Sequence, residues 1–447
     1  MSPTNSHRAY RGTFIETPSL GQLVILEDYR LVVNQNGFIV AFDRAVSFSE
    51  ITWSEETYLY QGNGLDLPLM QWLETYTLKS EEQLDSDHNL ARDVYHKLAK
   101  RLLKNGTGAV LLFGTIKEDT NLILAEEMQK AGIRGFIGKL SMDMSSRSTY
   151  VEASASVSLD SARSFVSRCR SVFERLEPHE RLIEPVLTPR FVPTCSDELL
   201  RGLGVLSKDE DVKIQSHLAE AHDQIDWVRK ERGMEDIDVF AKHNLLTPQT
   251  IQAHCTYLSP SDLSRVHGYE TAIAHCPLSN VYFSAEPFRL REALNRGVKV
   301  GLGTDIAGGY SAEIMSAMRQ AVAVSRMRQG RATTEQLADS GNTAAAIDEG
   351  NLAIDWKESL YLATRGGAIA LGLKSGLFQV GAPFDAQMIQ LQDFDSGEGI
   401  GALDFFSDTT SGKITDAMVE KWWCIGDDRN RRLVWVQGKQ VFQGQPN

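Results

Sequence analysis

Four histidine or aspartate residues follow short apolar segments in the second half of the chain. His217, His254, His275 and Asp305 end the stretches IQSH, IQAH, AIAH and GLGTD, and Glu220 comes three residues after the first histidine. Imidazole and carboxylate groups are ligands that suit zinc or iron. A single strand-end histidine is more often a core residue than a ligand. Four such residues in succession favour a metal site.

This set of residues would suit hydrolysis at a mononuclear metal centre. A bound metal ion lowers the pKa of water towards neutrality, and a nearby carboxylate must then move a proton from that water to the leaving group. Asp305 could both bind the metal and accept the proton. Glu220 lies where it could deliver a proton.

Alternating strands and helices must position these residues. Apolar segments of strand length recur between amphipathic helices, which is typical of a parallel sheet that is buried on both faces. Seven consecutive units favour a (β/α)-barrel over an open sheet, although a complete barrel has eight strands. Residues 329–351 show little apolar periodicity and are predicted to be irregular. The predicted strands are residues 108–114, 134–140, 182–187, 212–216, 250–253, 271–274 and 299–303.

Both ends of the chain have the composition of β-strands. Residues 21–27, 30–34 and 38–41 are short apolar segments separated by turn residues, and residues 379–391 and 433–442 are similar. We therefore predict that the two ends form one composite β-sandwich domain beside the barrel. The predicted divisions are residues 1–55 and 376–447 for the β domain and 56–375 for the barrel.

Composition and charge narrow the expected partners and location. The chain has 447 residues and a formal net charge of -13, which disfavours nucleic acids and anionic membranes as partners. No apolar run is long enough to span a bilayer, and the N-terminus lacks the apolar core of a signal peptide. Five cysteines without a CxxC pair indicate reduced thiols. We therefore expect a cytoplasmic protein.

Several motifs give a resemblance to a known family. In their order along nearly the whole chain they resemble the amidohydrolase superfamily and, within it, the guanine deaminase family. The resemblance implies an amidohydrolase-type (β/α)-barrel, a Zn²⁺ cofactor, a homodimer, and hydrolysis of guanine to xanthine and ammonia. The motifs are DLPLMQWLETYT (66–77), TPRF (188–191), QSHLAE (215–220), AHCPLSN (274–280), GLGTDIAGGYS (301–311), LATRGGAIALGL (362–373) and GDDRN (426–430).

The resemblance also implies roles for individual residues. The implied metal ligands are His217 and Asp305. The implied catalytic residues are Asp305 as the general base, Glu220 as the acid that shuttles protons to the purine, and His254 near the metal-bound water. His275 matches a motif position without a firm role. The implied substrate contacts are Arg190, Phe191, His217, Glu220 and Asp305.

One feature of the family is absent from this sequence. Family members carry a His-x-His pair of metal ligands at the end of the first barrel strand, in a stretch that resembles PGxxDTHxHxxQ. The chain has ten histidines, but none of them form a His-x-His pair. The expected place lies within residues 47–69, which read SFSEITWSEETYLYQGNGLDLPL. We therefore expect the first barrel strand and two ligands to be missing, with residues 54–61 as a candidate to patch the gap.

Two functions from different classes remain open on these grounds. One is a zinc-dependent guanine deaminase whose activity is impaired by the loss of two ligands. The other is a catalytically inactive amidohydrolase-like protein, either a pseudoenzyme or a truncated isoform. Action on a triazine ring is disfavoured by the TPRF and GDDRN motifs. The zinc content of the chain would distinguish the first two functions.

Overall fold

Three β-sheets organise the protein in the computed structural model. The structure describes residues 8–44, 61–340, 351–393, 396–404 and 413–444. The strands are β1 (Arg8–Glu16), β2 (Val24–Val33), β3 (Ile39–Arg44), β4 (Ala109–Phe113), β5 (Arg134–Ser141), β6 (Ile183–Pro189), β7 (Lys213–Leu218), β8 (Thr250–His254), β9 (Ala272–His275), β10 (Lys299–Leu302), β11 (Ala386–Ile389), β12 (Arg431–Val436) and β13 (Lys439–Gln443).

The seven strands in the middle of the chain form one curled parallel sheet. They follow each other in chain order from β4 to β10, and each neighbouring pair is parallel. Within the described ranges, the edge strands β4 and β10 pair with no further strand. This open half-barrel confirms the predicted amidohydrolase type of barrel with seven strands.

Helices cover the outer face of this sheet. Two π-helical turns, Leu73–Thr77 and Leu362–Gly366, interrupt longer helical stretches. None of the helices in the described part of the chain combines the length and apolar composition needed to traverse a bilayer. The helices are α1 (Leu69–Trp72), α2 (Leu78–Ser86), α3 (His88–Lys104), α4 (Glu118–Ala131), α5 (Ala155–Phe173), α6 (Asp197–Glu210), α7 (His222–Arg232), α8 (Asp236–Lys242), α9 (Pro260–Gly268), α10 (Pro277–Phe283), α11 (Leu290–Asn295), α12 (Ile314–Ser340), α13 (Trp356–Tyr361), α14 (Gly367–Ala370) and α15 (Asp416–Ile425).

Local sequence signals fix where several helices begin and end. The side chains of Asp87, Ser154 and Ser196 accept hydrogen bonds from backbone N–H groups in the first turns of α3, α5 and α6. Gly132 and Gly233 adopt the left-handed conformation that ends α4 and α7. The apolar faces of these helices then pack on the sheet and hold its strand ends in place.

Strands from the two ends of the chain pack together beside the barrel. β1–β3 form one antiparallel sheet and β11–β13 form another, and they share a core that includes Leu31, Ile39, Phe384 and Trp435. The composite β-sandwich is thus present, but its two halves are separate sheets joined by an isolated bridge between Phe38 and Pro383. The boundaries after residues 55 and 375 remain predictions.

Three details of the predicted elements were wrong. Residues 21–27 and 30–34 were expected as two strands, but β2 is continuous, and Asp28 adopts a positive φ of 57° at a bulge opposite β1. The strand β1 was not predicted, because RAYRGTFIE lacks a continuous apolar run. Residues 329–340 belong to α12, in which Thr333 bonds the carbonyl of Gln329. Residues 341–350, and all of the predicted patch at 54–61 except Gln61, lie outside the described residues.

Truncation of Trp435 tests the shared sandwich core. The ring is buried and lies 5.2 Å from Tyr10 and 5.5 Å from Phe384, so it joins strands from both ends of the chain. We expect Trp435→Ala to lower the free energy of unfolding by about 3–5 kcal/mol. The exposed Val380→Ala should change it by less than about 0.5 kcal/mol. Urea unfolding followed by circular dichroism gives both values, and equal effects would contradict a shared core.

Candidate active site

His217 lies at the carboxyl end of β7 with its ring held from two sides. The ring stacks on Phe113, with centroids 4.1 Å apart, and Nδ1 lies 2.6 Å from the carbonyl oxygen of Arg190. A carbonyl only accepts hydrogen bonds, so Nδ1 carries the proton and the lone pair is on Nε2. Burial, and then the neighbouring charge of His254, lower the pKa of His217 to about 3. The ring is therefore neutral at pH 7 and able to bind a metal.

His254 ends β8 in an unusual backbone conformation. Its φ is 67°, in the left-handed region that non-glycine residues rarely occupy. The Nδ1–H group donates to Oδ1 of Asn280 at 2.9 Å. Its Nε2 atom is buried, has no hydrogen-bond partner among the described residues, and lies 3.4 Å from Oε2 of Glu220 and 3.9 Å from Oδ2 of Asp305. The Nε2 atom thus faces two carboxyl groups.

These two carboxyl groups have raised pKa values. Glu220 follows β7 and is buried, and this burial raises the pKa of its carboxyl group to about 7. Asp305 follows β10, and burial raises its pKa although the His254 ring and a hydrogen bond from Ser279 oppose the shift. Burial lowers the pKa of His254, but the charges of Glu220 and Asp305 outweigh it and leave that pKa raised. The protonation of each of these groups therefore depends on the charges of the others.

Three of the predicted residues converge on one point. One ligand atom each from His217, His254 and Asp305 lies within 4.8 Å of the others. The sequence assigned metal binding to His217 and Asp305, and the structure brings the ring of His254 to the same place. Two imidazoles and a carboxylate suit a zinc or iron ion. The Nε2 atom of His254, which has no hydrogen-bond partner among the described residues, is available to bind such an ion. The residues present therefore fit a metal ion.

Arg190 and Phe191 lie beside this group. The Arg190 guanidinium donates to both carboxylate oxygens of Glu81, at 2.7 and 3.0 Å. The Phe191 ring is buried and meets the His217 ring edge-on, with centroids 6.5 Å apart. Glu81 was not predicted from the sequence, because nothing in the helical stretch KSEEQ distinguishes it from Glu82. Only the three-dimensional structure distinguishes the two glutamates, because Glu81 is the one that contacts the buried Arg190.

His275 does not join the converging residues. It is buried at the end of β9 against Phe288, with ring centroids 5.0 Å apart. Its Nδ1 atom makes no hydrogen bond within the described part of the protein. Burial, followed by the charge of His254, lowers the pKa of His275 to about 3. A neutral imidazole packed on an aromatic ring is the environment of a core residue.

A cavity of about 1920 Å³ gives ligands access to these residues. It is lined by His217, Glu220, Asp305, Arg190 and Phe191 at the carboxyl ends of the strands. It continues along β4 and β10 towards the β-sandwich. Active sites of (β/α)-barrels lie at the carboxyl ends of the strands, so this end of the cavity is the candidate active site.

The raised pKa of Glu220 predicts a pH-dependent stability. The protonated carboxyl stabilises the fold below the ordinary pKa of 4.5, and this contribution is lost as the pH rises through about 7. In the presence of a chelator, Glu220→Gln should therefore be more stable than the parent chain at pH 8, by on the order of 3 kcal/mol, and similar to it at pH 4.5. Urea unfolding at both pH values measures this. The exposed Glu231→Gln serves as the control. If the stability difference between Glu220→Gln and the parent chain were the same at both pH values, the prediction would be contradicted.

Comparisons with known proteins identify the family of this chain. The amidohydrolase family model matches residues 57–441. Guanine deaminase of Mus musculus is 35% identical over 97% of this chain and 96% of its own length. The solved guanine deaminase of C. acetobutylicum, which has guanine bound in its active site, is 27% identical and covers 98% of this chain and 100% of its own, with a TM-score of 0.82. A triazine hydrolase from Arthobacter aurescens has a TM-score of 0.75 at 19% identity, which shows the fold alone.

The family model and the relatives thus both include the seven-stranded sheet. The match spans the seven-stranded sheet, the helices around it and most of the β-sandwich. The chain therefore belongs to the amidohydrolase family, in which guanine deaminases match it over nearly its whole length.

Proposed function

We propose that this chain is built for the hydrolytic deamination of guanine to xanthine and ammonia. The observation that carries the proposal is the convergence of His217, His254 and Asp305, with Glu220 3.4 Å from His254, in a cavity large enough for a purine. The names of the relatives supply the substrate, since guanine deaminases match nearly the whole chain. The reaction consumes one water molecule and releases the exocyclic amino group as ammonia.

Zinc is the proposed metal, held by His217 and Asp305. When bound, such an ion supplies Lewis-acid chemistry that lowers the pKa of a bound water molecule towards neutrality. The hydrogen bond from Nδ1 of His217 to the Arg190 carbonyl leaves Nε2 directed at the site. The Asn280 side chain likewise holds the His254 ring by accepting a hydrogen bond from its Nδ1 atom. We assign His254 to a position near the attacking water.

Proton transfer is assigned to the two carboxyl groups. Asp305 is the proposed general base that accepts a proton from water. Glu220 is the proposed acid that delivers a proton to the purine ring, and a pKa of about 7 makes both of its protonation states available near neutral pH. Their side chains both face Nε2 of His254, so a proton can be exchanged through one short path.

Substrate binding is assigned to the walls of the same cavity. The guanidinium of Arg190 is the proposed polar contact, and the Phe191 ring is a flat apolar surface next to it. His217, Glu220 and Asp305 complete the proposed contacts. A planar ring between aromatic and polar walls is the arrangement expected for a purine site.

We further propose that activity is impaired in this chain by the loss of two metal ligands. The two histidines of the family pattern are absent from the sequence, and metal affinity depends on the full set of ligands. The solvent exposure of β4 supports the loss of a neighbouring strand. Its five apolar residues are all partly exposed, whereas all five residues of β8, in the middle of the sheet, are buried.

The same observation favours a second candidate, a catalytically inactive amidohydrolase-like protein. Such a protein would keep the barrel and the sandwich but bind no metal. We also propose a cytoplasmic location, from the unpatterned cysteines, and a homodimer, from the family resemblance. Zinc content separates the two candidates, because an inactive relative would bind no zinc under any condition.

Restoring the missing strand tests the proposed function and its impairment together. The parent chain should contain well under one zinc per chain and produce xanthine slowly or not at all. Insertion of a first strand with a PGxxDTHxH-like stretch between Thr57 and Tyr58, which lie outside the described residues, should raise both quantities. Elemental analysis and xanthine production measure them.

Two controls make this test decisive. The same insertion with both histidines changed to alanine should restore neither zinc nor activity, and Asp305→Asn should abolish what the intact insertion restores. One zinc per chain with rapid turnover in the parent chain would contradict the impairment. His254 and His275 would then be the first replacement ligands to examine.

A further inference from the structure

The guanidinium of Arg190 is paired with a carboxylate inside the cavity. Its two terminal nitrogens contact the two oxygens of Glu81 at 2.7 and 3.0 Å, a bidentate geometry that fixes the plane of the guanidinium. The side chains are only 6% and 11% exposed. Both groups line the cavity that contains His217 and Asp305. The pair is therefore part of the candidate active site.

Helix α2 holds Glu81 in this position. Leu78 and Leu84 of the same helix are buried, so the helix presents Glu81 to the interior. The adjacent Glu82 instead pairs with Arg147, at 2.7 Å from its Nε atom, and both of those side chains are 29% exposed. Of two neighbouring and chemically identical carboxylates, only Glu81 reaches Arg190. Glu82 therefore provides a matched control.

The contact between Glu81 and Arg190 affects the charge of the cavity. An arginine side chain stays protonated at every accessible pH, so a buried guanidinium needs a compensating anion. Of the other carboxyl groups that line the cavity, Glu220 and Asp305 face His254. Among the described residues, Arg190 is the arginine at this end of the cavity, and Glu81 compensates its charge. This end of the cavity would then disfavour anions.

Arg190 also connects this pair to the metal-ligating ring. Its backbone carbonyl accepts the hydrogen bond from Nδ1 of His217 at 2.6 Å. The same residue thus orients His217 through its backbone and carries a cation into the cavity through its side chain. By fixing the Arg190 side chain, the Glu81 carboxylate can act on the site without contacting His217.

We propose that Glu81 is a positioning residue that holds the Arg190 guanidinium in one orientation and neutralises it, so that the cavity takes an uncharged heterocycle and not an anion. The proposal rests on the proposed function only in treating Arg190 as a ligand contact. It adds a residue that selects for the neutral, planar kind of ligand that the proposed function already requires.

Charge-removing variants test this assignment in the full chain. The probes are sodium sulfate, titrated at constant ionic strength while the melting temperature is followed, and guanine, measured by equilibrium dialysis. E81Q should bind sulfate at least about tenfold more tightly than the parent chain, because the guanidinium then loses its bidentate carboxylate partner. It should also bind guanine about tenfold more weakly. E82Q should match the parent chain in both assays.

The double variant R190Q/E81Q shows whether Glu81 acts through Arg190. It should lose the added sulfate site, and its guanine affinity should equal that of R190Q alone, since Glu81 has no separate role. If E81Q fails to fold, the double variant R190Q/E81Q still removes both charges at once. Its guanine affinity is then compared with that of R190Q alone, and the two should be equal. A further loss of guanine affinity in the double variant would overturn the proposal.

The two probes separate this inference from the proposed function. A parent chain that binds no guanine would contradict guanine deamination, but the sulfate titration would still decide the role of Glu81. Conversely, E81Q and E82Q with the same sulfate affinity would overturn the role of Glu81, whatever guanine does. A purely structural role for Glu81 would lower stability without creating a sulfate site.

Discussion

The pairing of parallel strands in register is the constraint on which the candidate site depends. The pairs β6–β7, β7–β8, β8–β9 and β9–β10 all run in the same direction, so the residues at their carboxyl ends meet at one edge of the sheet. The backbone of Arg190 follows β6 and reaches both the N–H group and the Nδ1 atom of His217 at the end of β7. Through these contacts a change in register between two strands would also turn the ring of His217, a proposed metal ligand. The fold and the proposed metal site are therefore not independent.

The same constraint explains which parts of the site could be predicted from the sequence. Strands that are apolar throughout identify the parallel sheet, and its carboxyl edge is then the expected place for His217 and Asp305. The alternation of side chains along β7 also places Gln215 and His217 on the face towards the cavity. Predictions of this kind need only the order of elements and their period. They required no knowledge of distant contacts.

The position of His254 could not be predicted in this way. Ile251 and Ala253 line the cavity, so simple alternation would direct His254 away from it, with Gln252. A φ of 67° at His254 and of 56° at Cys255 redirects the chain at the end of β8 and brings the ring into the site. Such backbone conformations cost energy in non-glycine residues and are found where surrounding contacts enforce them. Here the hydrogen bond to Asn280 and the surrounding carboxyl groups supply those contacts.

Glu81 was missed for a different reason, and this reason also bears on the proposed metal site. Its contact with Arg190 joins residues 109 positions apart, and no local pattern reports such a pair. The contact nevertheless joins α2 to the end of β6 at the wall of the cavity. Arg190 in turn fixes His217 through its carbonyl group. Hydrogen bonds to Arg190 and Asn280 therefore orient the rings of His217 and His254, and both bonds lie within the described part of the chain. This is why inserting a first strand that carries two histidines, with the described residues of the barrel left unchanged, is a physically reasonable route to the proposed metal site.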